Sequence, residues 1–345
     1  MVPKRGTTPV FADVTDARGA RRVQVWEDVS EVGPSIGPTV VTIGNFDGVH
    51  LGHRHVIRRA REVAAELGGL PVVAVTFDPH PMRVLAPDKA PMPLTTLDTR
   101  LSLLAEAGAD AVLVLRFTRE LANVSAEDFI ASYLLAGLRA AAVVVGENFH
   151  FGHRAQGDVA LLRRMCAEQG VRVEGLPLDG DGSERVWSST FIRSRLAEGD
   201  VGAAALALGR PFVVRGVVVQ GQQRGRELGY PTANVPVATS VTAVPADGVY
   251  AGWLRRLDET GAPYLPAAIS VGTNPTFHDK DRRVESYVLD RDDLELYGVE
   301  VEVVFVEYLR GMVTFDAVDD LLVQMAADVD RARELLVTPP VATPS

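Results

Sequence analysis

The chain has 345 residues, a length that suits about two domains of ordinary size. Hydrophobic residues make up 47% and charged residues 23%, so a buried core is affordable in each half and a chain disordered throughout is excluded. The formal charge is −10, an acidic balance that argues against nucleic acid or an anionic membrane as a partner.

Cys166 is the single cysteine, which excludes an internal disulfide and a thiolate metal cluster and points to a reducing cytoplasm. No apolar run approaches the ~20 residues that span a bilayer, and the N-terminus lacks a signal-peptide core. Lys4, Lys89 and Lys280 are the only lysines. None stands in G-x-x-x-x-G-K-[ST], so a P-loop NTPase is excluded, as is the lysine-rich signature of class I aminoacyl-tRNA synthetases. Phosphate chemistry here falls to arginine, histidine, backbone amides and a metal ion.

Residues 1–22 show no sustained periodicity and are expected to form a loose arm. From 23 to 208, apolar runs at 39–44, 72–77, 111–117, 142–146 and 171–176 read as strands buried on both faces. Helical patterns lie between them. One follows His53, with Val56, Ile57, Ala60, Val63, Ala64 and Leu67 on one face and Gly68-Gly69 as its stop. Ser125 with Asp128 suggests a capping box ahead of a helix to residue 138, and residues 158–169 form another helix. This alternation predicts an α/β domain with a parallel sheet.

After residue 209 the pattern changes. Residues 212–219, 249–257, 264–272, 284–290 and 300–309 read as strands without intervening helices, hence a small antiparallel barrel or sandwich. A helix over 315–336 follows, with Thr314 as N-cap and a stripe from Val318 to Leu336. Residues 338–345 read as a disordered tail.

Two constellations carry chemistry. In the first half, a strand runs through G-N-F-D-G-V-H-L-G-H (44–53) directly into a helix. Ligands of open parallel sheets bind beyond the strands' carboxyl ends. Gly48 and Gly52 allow close backbone approach, and His50 and His53 sit at a helix start suited to phosphate. Helix capping and zinc ligation by His50, His53, His55 and Asp47 are the competing readings; His53 and His55 would point to different sides of one helix. Ser188, Ser189, Thr190 and Arg193 form a second helix start with phosphate-binding character, or simply a cap and a surface arginine.

In the second half, Gly221, Gly225 and Gly229 precede Y-P-T-A-N (230–234), where Thr232 offers a hydroxyl and Asn234 a carbonyl to Mg²⁺. A long hairpin loop with a rigid proline turn is the plain alternative. Glu285 alternates with Tyr287 and Leu289, which places a carboxylate among apolar side chains as a candidate base. Its alternative role is an edge-strand charge.

H-x-G-H and S-S-T-x-I-R resemble the nucleotidylyltransferase superfamily. T-F-D-P-H-P (76–81) and V-G-E-N-F-H-F-G (145–152) narrow the likeness to bacterial bifunctional FAD synthetases. Residues 210–336 are similar to riboflavin kinase, through G-R-E-L-G-Y-P-T-A-N, A-D-G-V-Y-A (246–251), I-S-V-G-T-N-P-T-F (269–277), Glu285, L-Y-G (296–298), Leu309-Arg310 and Phe315. Tyr230 stands where phenylalanine is common in that family.

The resemblance implies a Rossmann-like adenylyltransferase domain over 23–208 and a six-stranded antiparallel kinase barrel over 209–337. Riboflavin would be phosphorylated to FMN and FMN adenylylated to FAD, each with ATP. It implies His50, His53 and Arg193 as charge-stabilising groups. ATP would lie against Gly44, Asn45, Phe46, Asp47, Gly52, Ser189 and Thr190, and the flavin end against Asp78, His80, Pro81, Asn148 and Phe149. In the kinase, Gly221, Arg224, Gly225, Gly229, Tyr230, Pro231 and Arg310 would contact ATP or flavin, with Mg²⁺ on Thr232 and Asn234 and Glu285 as base. The sequence leaves Mg²⁺ against Mn²⁺ and monomer against oligomer open. Two other readings stand beside this one: an adenylyltransferase of another mononucleotide, and a non-catalytic flavin sensor or carrier.

Overall fold

The computed structural model describes residues 10–16, 19–177, 187–220, 228–273 and 282–340. It contains two units, one ending at Trp187 and the other beginning at Ser188.

The first unit is a seven-stranded sheet with helices. Its strands are β1 (Val10–Asp16), β2 (Gly19–Trp26), β3 (Thr39–Ile43), β4 (Val72–Asp78), β5 (Ala111–Arg116), β6 (Ala140–Gly146) and β7 (Arg172–Leu176). They lie in the order β1-β2-β5-β4-β3-β6-β7. β2 through β7 pair in parallel. Chain order thus runs outward from β3 in both directions, through β4 and β5 on one side and β6 and β7 on the other. The reversal lies between β3 and β6, where open α/β sheets place ligands.

The helices are α1 (Leu51–Glu66), α2 (Pro81–Leu85), α3 (Leu97–Ala107), α4 (Arg119–Ala122), α5 (Ala126–Phe129) and α6 (Val159–Ala167). α1 buries Ile57, Ala60, Val63 and Ala64, the stripe expected of it, and ends at Gly68 and Gly69 with φ of 91° and 84°.

Three expectations are corrected here. The loose arm over 1–22 is in part an antiparallel hairpin, Val10–Asp16 against Gly19–Trp26. It is held because β2 continues into a parallel pair with β5 and ends on the buried Trp26. The helix expected to run to 138 is α-helical only to Phe129. Ile130–Gly137 continues as a π-helix, closed by Leu138 N–H donating to Tyr133 O at 2.9 Å. Gly137 explains the close packing there, since a Cβ would meet Val29 at 2.1 Å. Finally, β7 is only half-buried, because it is the sheet's edge.

The second unit opens with α7 (Ser189–Ala197) and α8 (Val201–Leu208) and turns to strands after Gly209, whose φ of 70° ends α8. Six strands follow: β8 (Phe212–Val217), β9 (Thr232–Pro236), β10 (Gly248–Arg256), β11 (Leu265–Gly272), β12 (Arg283–Val288) and β13 (Glu300–Arg310). They pair antiparallel in the order β8-β13-β10-β11-β12-β9. Val219 N–H donates to Asn234 O at 2.9 Å, which joins the two edges and curls the sheet into a barrel.

The closing helix α9 (Val318–Leu335) is shorter than expected, and Thr314 is not its cap. Ala317 stands there without a side-chain hydrogen bond. Asp319 and Asp320 supply the first turn with negative charge instead. Phe315 is drawn into a cavity wall rather than the helix. Its stripe divides: Ala332 and Leu336 pack on Ala251, Trp253 and Val304, while Leu321, Met325 and Val329 line the cavity. Val318, expected in the stripe, is exposed.

Candidate active sites

In the first unit, three adjacent parallel strands deliver candidate residues at their carboxyl ends. β3 leads to 44–53, β4 to Asp78, His80 and Pro81, and β6 to Asn148 and Phe149. The loop after β3 is held under strain. Phe46 and Val49 take φ of 48° and 38°, a region that favours glycine. Asp47 accounts for part of this shape. Its buried carboxylate accepts the Leu94 amide at 2.8 Å and the Thr95 amide at 3.3 Å. Phe46 is equally buried and meets the His53 ring edge-on at 5.2 Å. Asn45 is exposed and Gly44 half-buried.

His50 caps α1, its Nδ1 accepting the His53 amide at 3.4 Å, so its proton sits on Nε2. The capping and phosphate readings are therefore compatible. The two imidazoles stack with centroids 3.6 Å apart. Burial first, then His50, then Arg100 push the His53 imidazole well below its ordinary value. His53 Nδ1 is buried and has no hydrogen-bond partner in the structure.

Gly52 is required by packing. A Cβ would meet the His50 ring at 3.2 Å and the Trp187 carbonyl at 3.4 Å. Trp187 thus lies beside the first turn of α1. Ser188 caps α7, accepting the Phe191 amide at 3.1 Å, and Ser189 and Thr190 form its first turn. Arg193 follows one turn later and is half-buried.

Arg100 on α3 is the residue that sequence reasoning missed. It is 5% exposed, and its Nη1 donates to Phe77 O at 2.9 Å, Thr76 Oγ1 at 3.3 Å and Asn45 O at 3.4 Å. It thereby ties the loop after β3 to the end of β4, with Asp78 at 4.0 Å. No local motif signals this, because the acceptors, two backbone carbonyls and one threonine hydroxyl, are distant in sequence. Around Asp78, the peptide to Pro79 is cis, and His80 caps α2 by accepting the Met82 amide. Asn148 lies exposed in the turn after β6, and Phe149 stacks on Phe151 at 5.3 Å.

In the second unit, strand register gathers the candidates. Asn234 faces Glu285, Glu285 faces Ser270, Ser270 faces Val249, and Val249 faces Arg310. Directly opposed residues share a face, so one row crosses five strands. The neighbouring row places Thr232 against Tyr287 and Tyr287 against Ala268. All of these residues except Asn234 line a cavity of about 160 Å³, together with Tyr230, Phe315 and Asp328. Val284, Ser286 and Val288 alternate into the core behind Glu285. The 230–234 segment is not a plain loop: from Thr232 it is strand β9. Its N-V-P end is short and carries a proline, which weakens the strand signal. Asn234 is buried, and its Nδ2 donates to Thr232 O at 3.1 Å and Thr232 Oγ1 at 3.3 Å. This leaves oxygen donors from both residues at alternate positions of one strand, a neutral set that fits a magnesium ion keeping mostly phosphate and water ligands.

Gly229 precedes with φ of 84°, and Pro231 leads into the strand. Gly221, Arg224 and Gly225 lie outside the described residues, as does 274–277 of the I-S-V-G-T-N-P-T-F stretch. Among the described residues no three histidine, cysteine or carboxylate side chains form a metal-binding group, so the zinc reading finds no support in the structure. Among them, too, no helix is long and apolar enough to cross a membrane.

The family profile for FAD synthetase matches residues 34–190, and that for riboflavin kinase matches 208–336. The chain is 39% identical over 295 residues to the bifunctional riboflavin kinase/FMN adenylyltransferase of Escherichia coli (strain K12), covering 86% of this chain and 92% of that protein. It is 34% identical over 310 residues to the protein of the same name from Listeria monocytogenes, covering 89% and 93%. A crystal structure titled macrolide-efflux protein, from Streptococcus pneumoniae, superposes with a TM-score of 0.79 at 31% identity, covering 90% of this chain and 98% of that one.

Proposed function

The chain belongs to the bifunctional riboflavin kinase/FMN adenylyltransferase family, and from this we infer that it makes FMN from riboflavin and FAD from FMN, consuming one ATP at each step. The observation that carries the reading is the pairing of two candidate sites in one chain: the histidine pair at the sheet's reversal point and the Thr232–Asn234–Glu285 cluster on the barrel.

In the kinase, the riboflavin 5′-hydroxyl attacks the γ-phosphorus of ATP and ADP leaves. Glu285 accepts the hydroxyl proton. Thr232 and Asn234 would hold Mg²⁺, which when bound offsets phosphate charge. Positioning and charge stabilisation supply most of the acceleration in such transfers.

In the adenylyltransferase, an FMN phosphate oxygen attacks the α-phosphorus of ATP and pyrophosphate leaves. No covalent enzyme intermediate is needed. His50 donates from Nε2. His53, held neutral, takes up positive character only as phosphate charge gathers, which suits a group that stabilises the transition state more than the resting site. The family resemblance gives Arg193 the part of a cation in this reaction. Asp78, His80, Asn148 and Phe149, at the ends of β4 and β6, form the flavin end of the same site.

An enzyme acting on another mononucleotide has no use for the barrel, and a flavin carrier has no use for a base and a metal pair. The buried Cys166 as the single cysteine fits a reducing cytoplasm. Incubation of the purified chain with riboflavin, ATP and Mg²⁺, followed by flavin separation, tests the reading. FMN then FAD is expected; flavin bound but unchanged would support the carrier.

A further inference from the structure

Arg100 belongs to no motif, yet α3 delivers its buried side chain to the candidate adenylyltransferase residues. Its Nη1 donates to Phe77 O, Thr76 Oγ1 and Asn45 O. Thr76 Oγ1 donates in turn to Asn45 O at 3.1 Å. The Asn45 carbonyl is thus held by two donors immediately before Phe46, the residue with φ of 48°. That conformation costs free energy for a phenylalanine and persists only where neighbours enforce it. Phe46 is buried and meets the His53 ring edge-on. A line of contact therefore runs from α3 through Asn45 and Phe46 to His53.

Clamping alone does not account for a guanidinium. A neutral amide donates hydrogen bonds without the cost of burying a charge. Arg100 keeps much of that charge uncompensated. Its Nε is buried with no hydrogen-bond partner, and its Nη2 lies 4.0 Å from Asp78 Oδ1, beyond hydrogen-bond length. The Asp47 carboxylate accepts the Leu94 and Thr95 amides instead. Burial lowers the pKa of Arg100, against the pull of Asp47 and Asp78, and a guanidinium so placed is still a cation at neutral pH.

His53 feels this charge. His50 stacks on its ring from the cap of α1, and Arg100 acts on it from α3. Asp47 in the loop and Asp78 at the end of β4 act on Arg100. His53 Nδ1 is buried without a partner, so no carboxylate holds a proton on that nitrogen. Positive charge beside an imidazole opposes its protonation and favours an anion. The phosphates of a bound nucleotide would offset Arg100, and positive character could then develop on His53.

We propose that Arg100 is a positioning residue for adenylyl transfer: it clamps the loop after β3 so that Phe46 fixes the His53 ring, and its buried charge reserves that ring for phosphate rather than for a solvent proton. The assignment rests on the adenylyltransferase reading above.

The test uses the full chain and its Arg100→Gln and Arg100→Lys variants. FAD formation from added FMN and ATP is followed from about pH 5 to 9. The His53 ring is titrated by NMR in the free chain, its signal identified by its absence from His53→Gln, and folding is followed by thermal unfolding. Arg100→Gln should slow FAD formation by ~10²-fold and move both the ring titration and the acid limb of the rate upward by about one pH unit. Arg100→Lys keeps the charge but not the planar set of donors, so its rate should fall by about tenfold while its acid limb stays within about 0.3 pH unit of the unaltered chain. A purely structural arginine would lower the rate and leave the titration in place. That outcome, or acid limbs that coincide in the two variants, overturns the proposal. Where Arg100→Gln does not fold, Arg100→Lys decides alone: a rate within about twofold of the unaltered chain overturns the clamp, and an acid limb raised by about a full unit overturns the role of charge. An unaltered chain that makes no FAD from FMN sinks the adenylyltransferase reading and this assignment together. One that makes FAD, beside an Arg100→Gln of unchanged rate and titration, sinks this assignment alone.

Discussion

Glu285 on β12 stands directly opposite Asn234 on β9, so that a carboxylate and an amide 51 positions apart in sequence share one face of the barrel. Antiparallel register brings such partners within about 5.5 Å between Cα atoms. The candidate base and the candidate metal ligands therefore form one cluster, and substitutions there should affect one reaction only.

Glu285→Gln keeps the shape of the side chain and removes its basicity. FMN formation from riboflavin should fall by ~10²–10⁴-fold, while FAD formation from added FMN holds. Kinase turnover near that of the unaltered chain would remove Glu285 from the role of base.

Thr232→Val retains the strand's branched packing and removes the hydroxyl that Asn234 faces. The Mg²⁺ concentration needed for half-maximal FMN formation should rise by about tenfold, because one of few protein ligands is lost. A chelator should stop the reaction in the unaltered chain, and added Mg²⁺ should restore it. An unchanged Mg²⁺ requirement in Thr232→Val would place the ion elsewhere.

His53→Ala should slow FAD formation by ~10²–10³-fold and leave FMN formation intact, since His53 lies in the first unit and Thr232, Asn234 and Glu285 lie in the second. Parallel loss of both activities in a folded variant would contradict two independent sites.

Acid should destabilise the first unit through His53. Its folded pKa is depressed, so the unfolded chain takes up the proton first. The stability it contributes is present above the ordinary histidine value of about 6.5 and is lost as pH falls from there towards the lowered folded value. Thermal unfolding between pH 7 and 5.5 should show a smaller acid-induced drop in His53→Gln than in the unaltered chain. Equal drops would mean that His53 is not the proton acceptor.

Glu302 is fully buried on β13 and bonded by Arg215 at 2.6 Å, Arg255 at 3.0 Å and the Tyr264 hydroxyl at 2.6 Å. Truncating one member of a buried ion cluster leaves charge uncompensated, so Glu302→Ala should cost ~3–5 kcal/mol in denaturant unfolding. A loss below about 1 kcal/mol would show that water reaches the two arginines.

Much of this protein is determined by local sequence. The period of α1 follows from Ile57, Ala60, Val63 and Ala64, which face the core at helical spacing whatever the neighbours are. The apolar runs of β3 to β6 specify a parallel sheet buried on both faces. The family motifs likewise mark both sites, because each is a short run of residues at set spacing. Tertiary structure decided what depends on contact between distant segments. The hairpin of β1 and β2 exists because β2 has β5 to lean on. β9 is a strand because β12 supplies its hydrogen bonds, although T-A-N-V-P alone has weak strand character. Arg100, Asp328 and Glu302 look like ordinary surface charges on a helix or strand. Each is buried because partners from other elements, backbone carbonyls or opposite charges, offset the cost of leaving water, and no sequence window contains both sides of that exchange.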